Sequence, residues 1–181
     1  MGKNKVTLNH ITYDDLELIR EWRTSPEVTH FMYTDPNISK EDQIKWFESL
    51  ENNKSSKHML FKYKDDPVGV VSLSDIDYTS KHCTWGIYVG NPKYQHRGLG
   101  ALATFELICY TFDELKLNKM MSMVLAYNEN AINLNESFGF RKEGYYREHC
   151  FKNNQFIDMI GYSLTKNDWK KLKPYFNSKF K

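Results

Sequence analysis

Two glycines and an arginine stand close together in the stretch YQHRGLGA, residues 94–101, directly after a predicted strand. A helix beginning at Gly98 would leave its first amides without intrahelical partners and would carry a partial positive charge at that end. Such a helix end binds phosphate, glycine lets the phosphate approach the backbone, and Arg97 could add a charge-assisted contact. A tight strand-to-helix turn that binds nothing would use the same glycines. The stretch is neither a P-loop nor a three-glycine dinucleotide fingerprint, so its context must decide.

The context of the glycine stretch resembles the GNAT superfamily of acetyltransferases. Residues 95–100, QHRGLG, are similar to the superfamily's Q/R-x-x-G-x-G/A loop, and residues 128–140, NENAINLNESFGF, are similar to the motif that follows it. The resemblance covers nearly the whole chain and extends to the branch that contains ribosomal-protein, spermidine and nucleotide-sugar N-acetyltransferases. It implies that the loop amides hold the pyrophosphate of acetyl-CoA, and that the strand of residues 87–89 pairs through its backbone with the pantetheine arm.

The resemblance makes acetyl-CoA the expected co-substrate and implies no metal. Asn128 would hydrogen-bond the pantetheine arm, although an asparagine at this position could equally cap the helix that follows. The six histidines show no metal-ligand spacing. The residues that the resemblance assigns to acetyl-CoA are Ile87, Val89, Gln95, Arg97, Gly98, Leu99, Gly100, Ala101 and Asn128.

The usual proton-handling positions of the family hold other residue types in this chain. Asn135 stands where a tyrosine general acid is common, and Thr84 stands where a glutamate general base is common. An amide is not a useful general acid, although Asn135 could hydrogen-bond the sulfur or be an ordinary polar helix residue. Tyr88, expected on the same strand face as Thr84, could orient a water or donate to the leaving thiolate, or it could simply pack. The candidate catalytic residues are therefore Tyr88, Thr84 and Asn135, with transfer depending mostly on positioning.

The absence of a strong base bears on the acceptor amine. A lysine-like amine with a pKa of about 10.4 is almost wholly protonated at neutral pH, whereas a sugar amine should be much less basic. Residues 22–35, WRTSPEVTHFMYTD, resemble the nucleotide-sugar N-acetyltransferases of the pseudaminic acid pathway, which acetylate the 4-amine of a UDP-linked 4-amino-4,6-dideoxy sugar. This resemblance implies an acceptor side lined by Tyr88 and by Arg23, Met32, Tyr33, Gln43 and Trp46.

Other acceptors and one non-enzymatic function are alternatives. A polyamine or aminoglycoside site should be rimmed by acids, which Glu41, Asp42 and Glu48 could supply, although acidic residues are common on the first turn and the wet face of a helix. The N-terminus of a ribosomal protein is a further acceptor class. A non-catalytic acyl-CoA-binding module would explain why Asn135 and Thr84 replace the usual proton handlers.

The hydrophobic pattern predicts the elements that must position these residues. Strands are expected at 6–11, 59–63, 68–76, 83–89, 121–126, 145–151 and 156–164, and helices after Thr12, after Ser39, from Gly98 and at 131–138. The fold class is α+β, and the resemblance implies a GNAT fold with a mixed, mostly antiparallel sheet of about seven strands. This sheet would be splayed at the CoA site and flanked by helices, in a single domain of residues 1–181.

The amino-acid composition limits which binding partners and which cellular compartment the sequence predicts. Lys and Arg number 25 against 23 Asp and Glu, a balance that predicts neither a nucleic-acid partner nor an anionic membrane surface. The cysteines at 83, 109 and 150 are odd in number and far apart, which argues against disulfides and favours a reducing cytoplasm. Residues 1–10 contain no apolar targeting segment. A small amine is the expected second substrate, and the resemblance leaves room for a homodimer.

Overall fold

The computed structural model describes residues 6–180, and the strands in this part of the chain form one mixed sheet of seven strands. Its order is β1-β2-β3-β4-β5-β7-β6, and all neighbours are antiparallel except β4 and β5. The predicted α+β fold with a mostly antiparallel sheet is confirmed. The strands are β1 Val6–His10, β2 Lys57–Tyr63, β3 Asp66–Asp77, β4 His82–Val89, β5 Lys119–Leu125, β6 Arg141–Lys152 and β7 Gln155–Thr165.

Helices flank the sheet, and two of them begin at the predicted caps. Ser39 Oγ accepts a hydrogen bond from the amide of Asp42, and Asp15 Oδ2 accepts one from the amide of Thr12, ahead of a short 3₁₀ turn. None of the helices in residues 6–180 is long and apolar enough to cross a membrane. The helices are α1 Leu16–Thr24, α2 Pro26–Thr29, α3 Lys40–Asn52, α4 Leu99–Cys109, α5 Glu129–Ser137 and α6 Lys166–Phe180.

Two sequence predictions need correction. Helix α4 begins at Leu99 rather than at Gly98, because Gly98 has a left-handed conformation and caps the helix. Helix α6 was not predicted, because it contains Pro174, a residue that usually ends or kinks a helix. Its start nevertheless carries a capping signal, since Thr165 Oγ1 accepts a hydrogen bond from the amide of Asp168. Residues 1–5, half of the stretch in which no targeting segment was predicted, lie outside the described residues.

The sheet opens between β4 and β5. These two strands pair only through His82 with Lys119, Cys83 with Met120 and Thr84 with Met121. Strand β4 continues to Val89 while paired with β3 alone. The backbone groups of residues 85–89 that face β5 therefore have no strand partner within the described chain, which is the splay that the resemblance predicted.

Two hydrophobic cores lie on opposite faces of the sheet. The larger contains Trp85 and the buried faces of α4 and α6, and Ile87 and Val89 pack against it. The smaller lies beneath α1 and α3, and Tyr88 packs against it. Successive side chains of a strand point to opposite faces, so β4 sends Tyr88 to one side of the opening and Ile87 to the other.

Candidate active site

A cleft of about 1440 Å³ lies at the opening between β4 and β5 and extends from the glycine turn to α1 and α3. Fifteen of the seventeen predicted site residues line it. The exceptions are Arg97, whose side chain is exposed, and Leu99, whose side chain is buried in the larger core. Leu99 can therefore act on a ligand only through its amide, as the glycine-loop interpretation requires.

The glycine turn fits a pyrophosphate. Gly98 has a φ of +74°, a left-handed conformation that most residues adopt only with strain. A Cβ at Gly98 would have no heavy atom within 4 Å, and one at Gly100 would come no closer than 3.8 Å to Val89. The first amides of α4 therefore face open space beside the cleft, where a phosphate can approach them.

Two asparagines of the second motif line the cleft and are already hydrogen-bonded. Asn128 Oδ1 accepts from the amide of Ala131 at 3.1 Å, so this residue caps α5 while its side-chain amide remains in the cleft lining. Asn135 is 2% exposed, and its Nδ2 donates to the carbonyl of Ala131 at 2.8 Å. Its Oδ1 is buried and has no hydrogen-bond partner among the described residues. Asn135 thus presents an acceptor, and not an acid, to its surroundings.

The side of the cleft beneath α1 and α3 contains two buried donors without partners in residues 6–180. They are Arg23 Nη1 and Gln43 Nε2. None of the ion pairs found in this part of the chain involves Arg23. Burying an arginine head group without a carboxylate partner costs free energy. This end of the cleft is therefore suited to binding an anion.

Three titratable groups of the cleft have shifted pKa values. Burial raises the pKa of Tyr88 far above its ordinary value, and the positive charge of Arg23 offsets only part of that effect. Partial burial in the cleft, followed by the nearby Cys150 thiol, raises the pKa of Tyr33, whose side chain is about half exposed, to about 12. Burial, followed by the charge of Arg23, lowers the pKa of His58 below 6.5. At neutral pH both tyrosines therefore keep their protons, and His58 is neutral.

A row of cleft residues across three strands was not predicted from the sequence. His58 on β2 is the pairing partner of Ser72 on β3, which in turn pairs with Gly86 on β4. All three line the cleft, and the ring of His58 contacts that of Trp46 with 5.2 Å between the centroids. Only the register of the strands brings these residues together, and no spacing in the sequence indicates it.

The carboxylates expected to rim a polyamine site are mostly elsewhere. Asp42 lines the cleft, whereas Glu41 and Glu48 do not, and Glu27 is an additional acid in the lining. Asp42 Oδ2 also accepts from Ser39 Oγ at 2.8 Å, a hydrogen bond that keeps the pKa of Asp42 below its ordinary value.

A mixed sheet that opens beside a glycine-capped helix, with a cleft reaching both faces, defines an acyl-CoA-dependent acyltransferase. The chain belongs to the GNAT acetyltransferases: the family model described as "Acetyltransferase (GNAT) domain" matches residues 5–141. The enzyme is accordingly an acetyl-CoA-dependent N-acetyltransferase. Among the described residues, no cluster of three or more His, Cys, Asp or Glu side chains could hold a metal ion.

Relatives of this chain come from the branch that the sequence indicated. Acetyltransferase PseH of Campylobacter jejuni is 31% identical over 132 residues, which cover 73% of this chain and 78% of PseH. Spermidine N(1)-acetyltransferase of Vibrio cholerae is 22% identical over 157 residues, or 86% and 90% of the two chains. The crystal structure of the Vibrio cholerae spermidine N-acetyltransferase with CoA and spermine superposes with a TM-score of 0.87 at 20% identity, covering 92% and 98%. That structural likeness confirms the predicted fold.

Proposed function

We propose that this enzyme acetylates the 4-amine of a UDP-linked 4-amino-4,6-dideoxy sugar. The observation that carries this proposal is Arg23, a partly buried guanidinium whose Nη1 has no partner within residues 6–180. A diphosphate would neutralise this charge and accept its hydrogen bonds, since arginine binds phosphate well. A polyamine would instead add positive charge beside it. The identity of 31% to PseH supports the same acceptor class.

Aromatic side chains on the acceptor side support binding of a uracil ring. Tyr33 is 46% exposed and lies in the cleft lining, where it is not part of either hydrophobic core. Trp46 is half-buried and packs against the smaller core, with one part of its ring system in the cleft lining. By analogy with bases on aromatic side chains, each stacking contact would contribute roughly 1–3 kcal/mol.

In this proposal, acetyl-CoA and the acceptor amine bind on opposite faces of the sheet. Acetyl-CoA supplies the acetyl group as an activated thioester. The α4 amides and Asn128 would hold its phosphates and pantetheine arm, and the free backbone edge of β4 would align that arm as an added strand. The acceptor would enter from the face of Arg23 and Tyr33, so that amine and thioester meet at the opening beside Gly86.

In this proposal, removal of the proton from the attacking amine does not require a strong base. A sugar amine is less basic than a lysine-like amine, so a larger fraction of it is neutral at pH 7 and a weak base is enough to free its lone pair. The proton lost from the attacking nitrogen can pass to water held near Thr84 and Ser72, two hydroxyls of the cleft lining. Tyr88, which keeps its proton at neutral pH, would donate a hydrogen bond to the departing sulfur. Asn135 would accept a hydrogen bond and would not act as the acid.

A polyamine is the second candidate acceptor, because the carboxylates of Glu27 and Asp42 line the cleft. Acetyl transfer should be measured by thiol release with a UDP-linked 4-amino sugar, spermidine, an aminoglycoside and a ribosomal-protein N-terminal peptide. We expect the sugar to be preferred, and UDP to compete with the amine but not with acetyl-CoA. Arg23→Met should abolish the competition by UDP, whereas Arg23→Lys should retain part of it. Efficient acetylation of spermidine without inhibition by UDP would refute the sugar acceptor and leave the acetyltransferase activity intact.

The single-domain organisation, the homodimer and the cytoplasmic location remain predictions. So do the individual roles of the site residues.

A further inference from the structure

Lys152, at the end of β6, is a buried lysine whose ammonium group contacts a distant loop. Its side chain is 4% exposed. Its Nζ donates to the carbonyls of Thr29 at 2.5 Å and Met32 at 2.8 Å, with that of His30 at 3.4 Å. The carboxylate of Asp35 lies 3.2 Å away and supplies the opposing charge. A buried ammonium group with this set of acceptors is fully compensated.

Lys152 contacts the last residue of α2 and the acceptor loop that follows it, residues 30–35, which carries Met32 and Tyr33 into the cleft. The amides of residues 30–32 hydrogen-bond to carbonyls of residues 26–29, whereas the part of the loop from Tyr33 onward lies outside any helix, strand or turn. Side chains from the far half of the chain also hold it. Tyr127 Oη donates to the carbonyl of His30 at 2.7 Å, and Cys150 Sγ contacts the carbonyl of Tyr33 at 3.9 Å.

In one further contact, the acceptor loop donates the hydrogen bond instead of accepting it. The hydroxyl of Tyr33 donates to the backbone carbonyl of Met123, on the part of β5 that has separated from β4. The acceptor loop therefore spans from the α1 side of the cleft to the β5 side. Lys152 is the member of this set that satisfies several loop carbonyls with one side chain, so its removal should release more of the loop than the loss of any other contact.

We infer that Lys152 is a positioning residue: it holds the acceptor loop across the opening of the sheet and thereby sets the affinity for the amine substrate without contacting either substrate. This inference rests on the proposed function only in taking the loop as part of the acceptor side. It does not depend on which amine is used.

The test compares Lys152→Met with Lys152→Arg in the full-length protein. Methionine keeps the length and apolar stem of the side chain but provides no donor, whereas arginine restores charge and donors. Lys119→Met is the control, because Lys119 also forms an ion pair, with Glu143 at 2.8 Å, but is 31% exposed and does not contact the acceptor loop. Hydrogen exchange of peptides covering residues 26–35 reports the loop directly, with or without an acceptor.

We expect Lys152→Met to speed exchange in residues 26–35 by about tenfold, equivalent to about 1.4 kcal/mol, while exchange in the central strands is unchanged. The KM for whichever amine is turned over should rise by a similar factor, while kcat and the affinity for acetyl-CoA change by less than about threefold. Lys152→Arg should restore part of both effects, and Lys119→Met should show neither.

Unchanged exchange in the loop would overturn the positioning role whatever the acceptor proves to be. Faster exchange with an unchanged amine KM would overturn the link to substrate affinity. If Lys152→Met does not fold, Tyr127→Phe provides the second test, because it removes only the hydrogen bond to His30 from a largely exposed side chain. It should shift loop exchange and amine KM in the same direction by about two- to threefold, and no shift in either would again contradict the inference. Preference for spermidine over the sugar would refute the proposed acceptor and leave these readouts interpretable.

Discussion

Ser72 Oγ lies 3.2 Å from the point where a Cβ on Gly86 would stand. The two residues pair across β3 and β4, two residues beyond Thr84, the last residue at which β4 is joined to β5. A side chain at position 86 would therefore press on the Ser72 hydroxyl and enter the cleft that both residues line. Gly86 keeps this part of the cleft free, and Ser72 supplies a hydroxyl to its lining.

Replacing Gly86 tests whether transfer occurs in this part of the cleft. We expect Gly86→Val to lower kcat/KM by about tenfold or more, because a displacement of about 1 Å in a reacting group can cost about a hundredfold in rate. Gly86→Ala should have a smaller effect, since only the Ser72 hydroxyl needs to move. Steady-state kinetics with both substrates would reveal this, and full activity in Gly86→Val would place the chemistry elsewhere.

Gly98→Val should weaken binding of acetyl-CoA by at least about tenfold. The left-handed backbone at this residue costs a β-branched side chain roughly 1–2 kcal/mol, and the added carbons would enter the space in front of the α4 amides. Gly100→Ala is the matched control, because a Cβ there makes only an ordinary contact with Val89 at 3.8 Å. Titration calorimetry that gives Gly98→Val the wild-type affinity for acetyl-CoA would refute the phosphate-binding role of the turn.

Asn135→Ala should retain substantial turnover. The Nδ2 group of Asn135 is already bonded to Ala131, and an amide cannot supply a proton to the thiolate. Single-turnover rates should therefore fall by less than about tenfold. A loss within the range of about 10²–10⁴ that is typical of a removed general acid or base would show that the site has been misread.

Tyr33→Ala should raise the KM of the acceptor while leaving the affinity for acetyl-CoA and the melting temperature nearly unchanged. Tyr33 contributes an exposed ring to the cleft and one hydrogen bond to Met123. Tyr33→Phe separates these contributions, because it keeps the ring and loses the hydroxyl. If stacking dominates, Tyr33→Phe should bind the acceptor almost as well as the wild type; equal KM increases in both variants would instead assign the effect to the hydroxyl.

His58 should make folding stability depend on pH below neutrality. Its folded pKa lies below the value of about 6.5 expected in the unfolded chain, so the unfolded state binds the proton more readily. The free energy of unfolding should therefore be insensitive to this group above about pH 6.5 and should fall as the pH drops from there towards the folded pKa. Urea titrations at pH 7.5 and 5.5 should show a smaller loss for His58→Gln than for the wild type, and parallel losses would contradict the assignment.

Much of the fold could be predicted because its signals are local. Ser39 and Thr12 begin their helices with side-chain caps, and the strands follow from runs of apolar residues with turn residues between them. Helix α6 was missed because Pro174 suggests a helix end, although the lysines around it favour a helix. Its helical form depends on tertiary packing, which buries Trp169 and Phe176 against Phe105 and Phe138.

In the candidate site, too, some residues could be predicted from the sequence and others could not. The glycine turn is a contiguous motif, so the residues around Gly98 could be named from the sequence. Ser72 and His58 could not, because they meet only through strand register, and Lys152 lies more than a hundred residues from the loop it contacts. The absence of a partner for Arg23 is likewise a property of the packed structure that no spacing reveals.

The bonds that fix the acceptor loop join residues 90 to 123 positions apart in the chain. During synthesis at about 5–20 residues per second, the loop therefore emerges several seconds or more before Lys152 exists. The turn at Gly98 and the asparagines of α5 also precede Lys152. Loop closures of such length are slow steps in folding, because their entropy must be lost before any contact is gained. The amine-binding side is consequently the last part of the site that a nascent chain can complete.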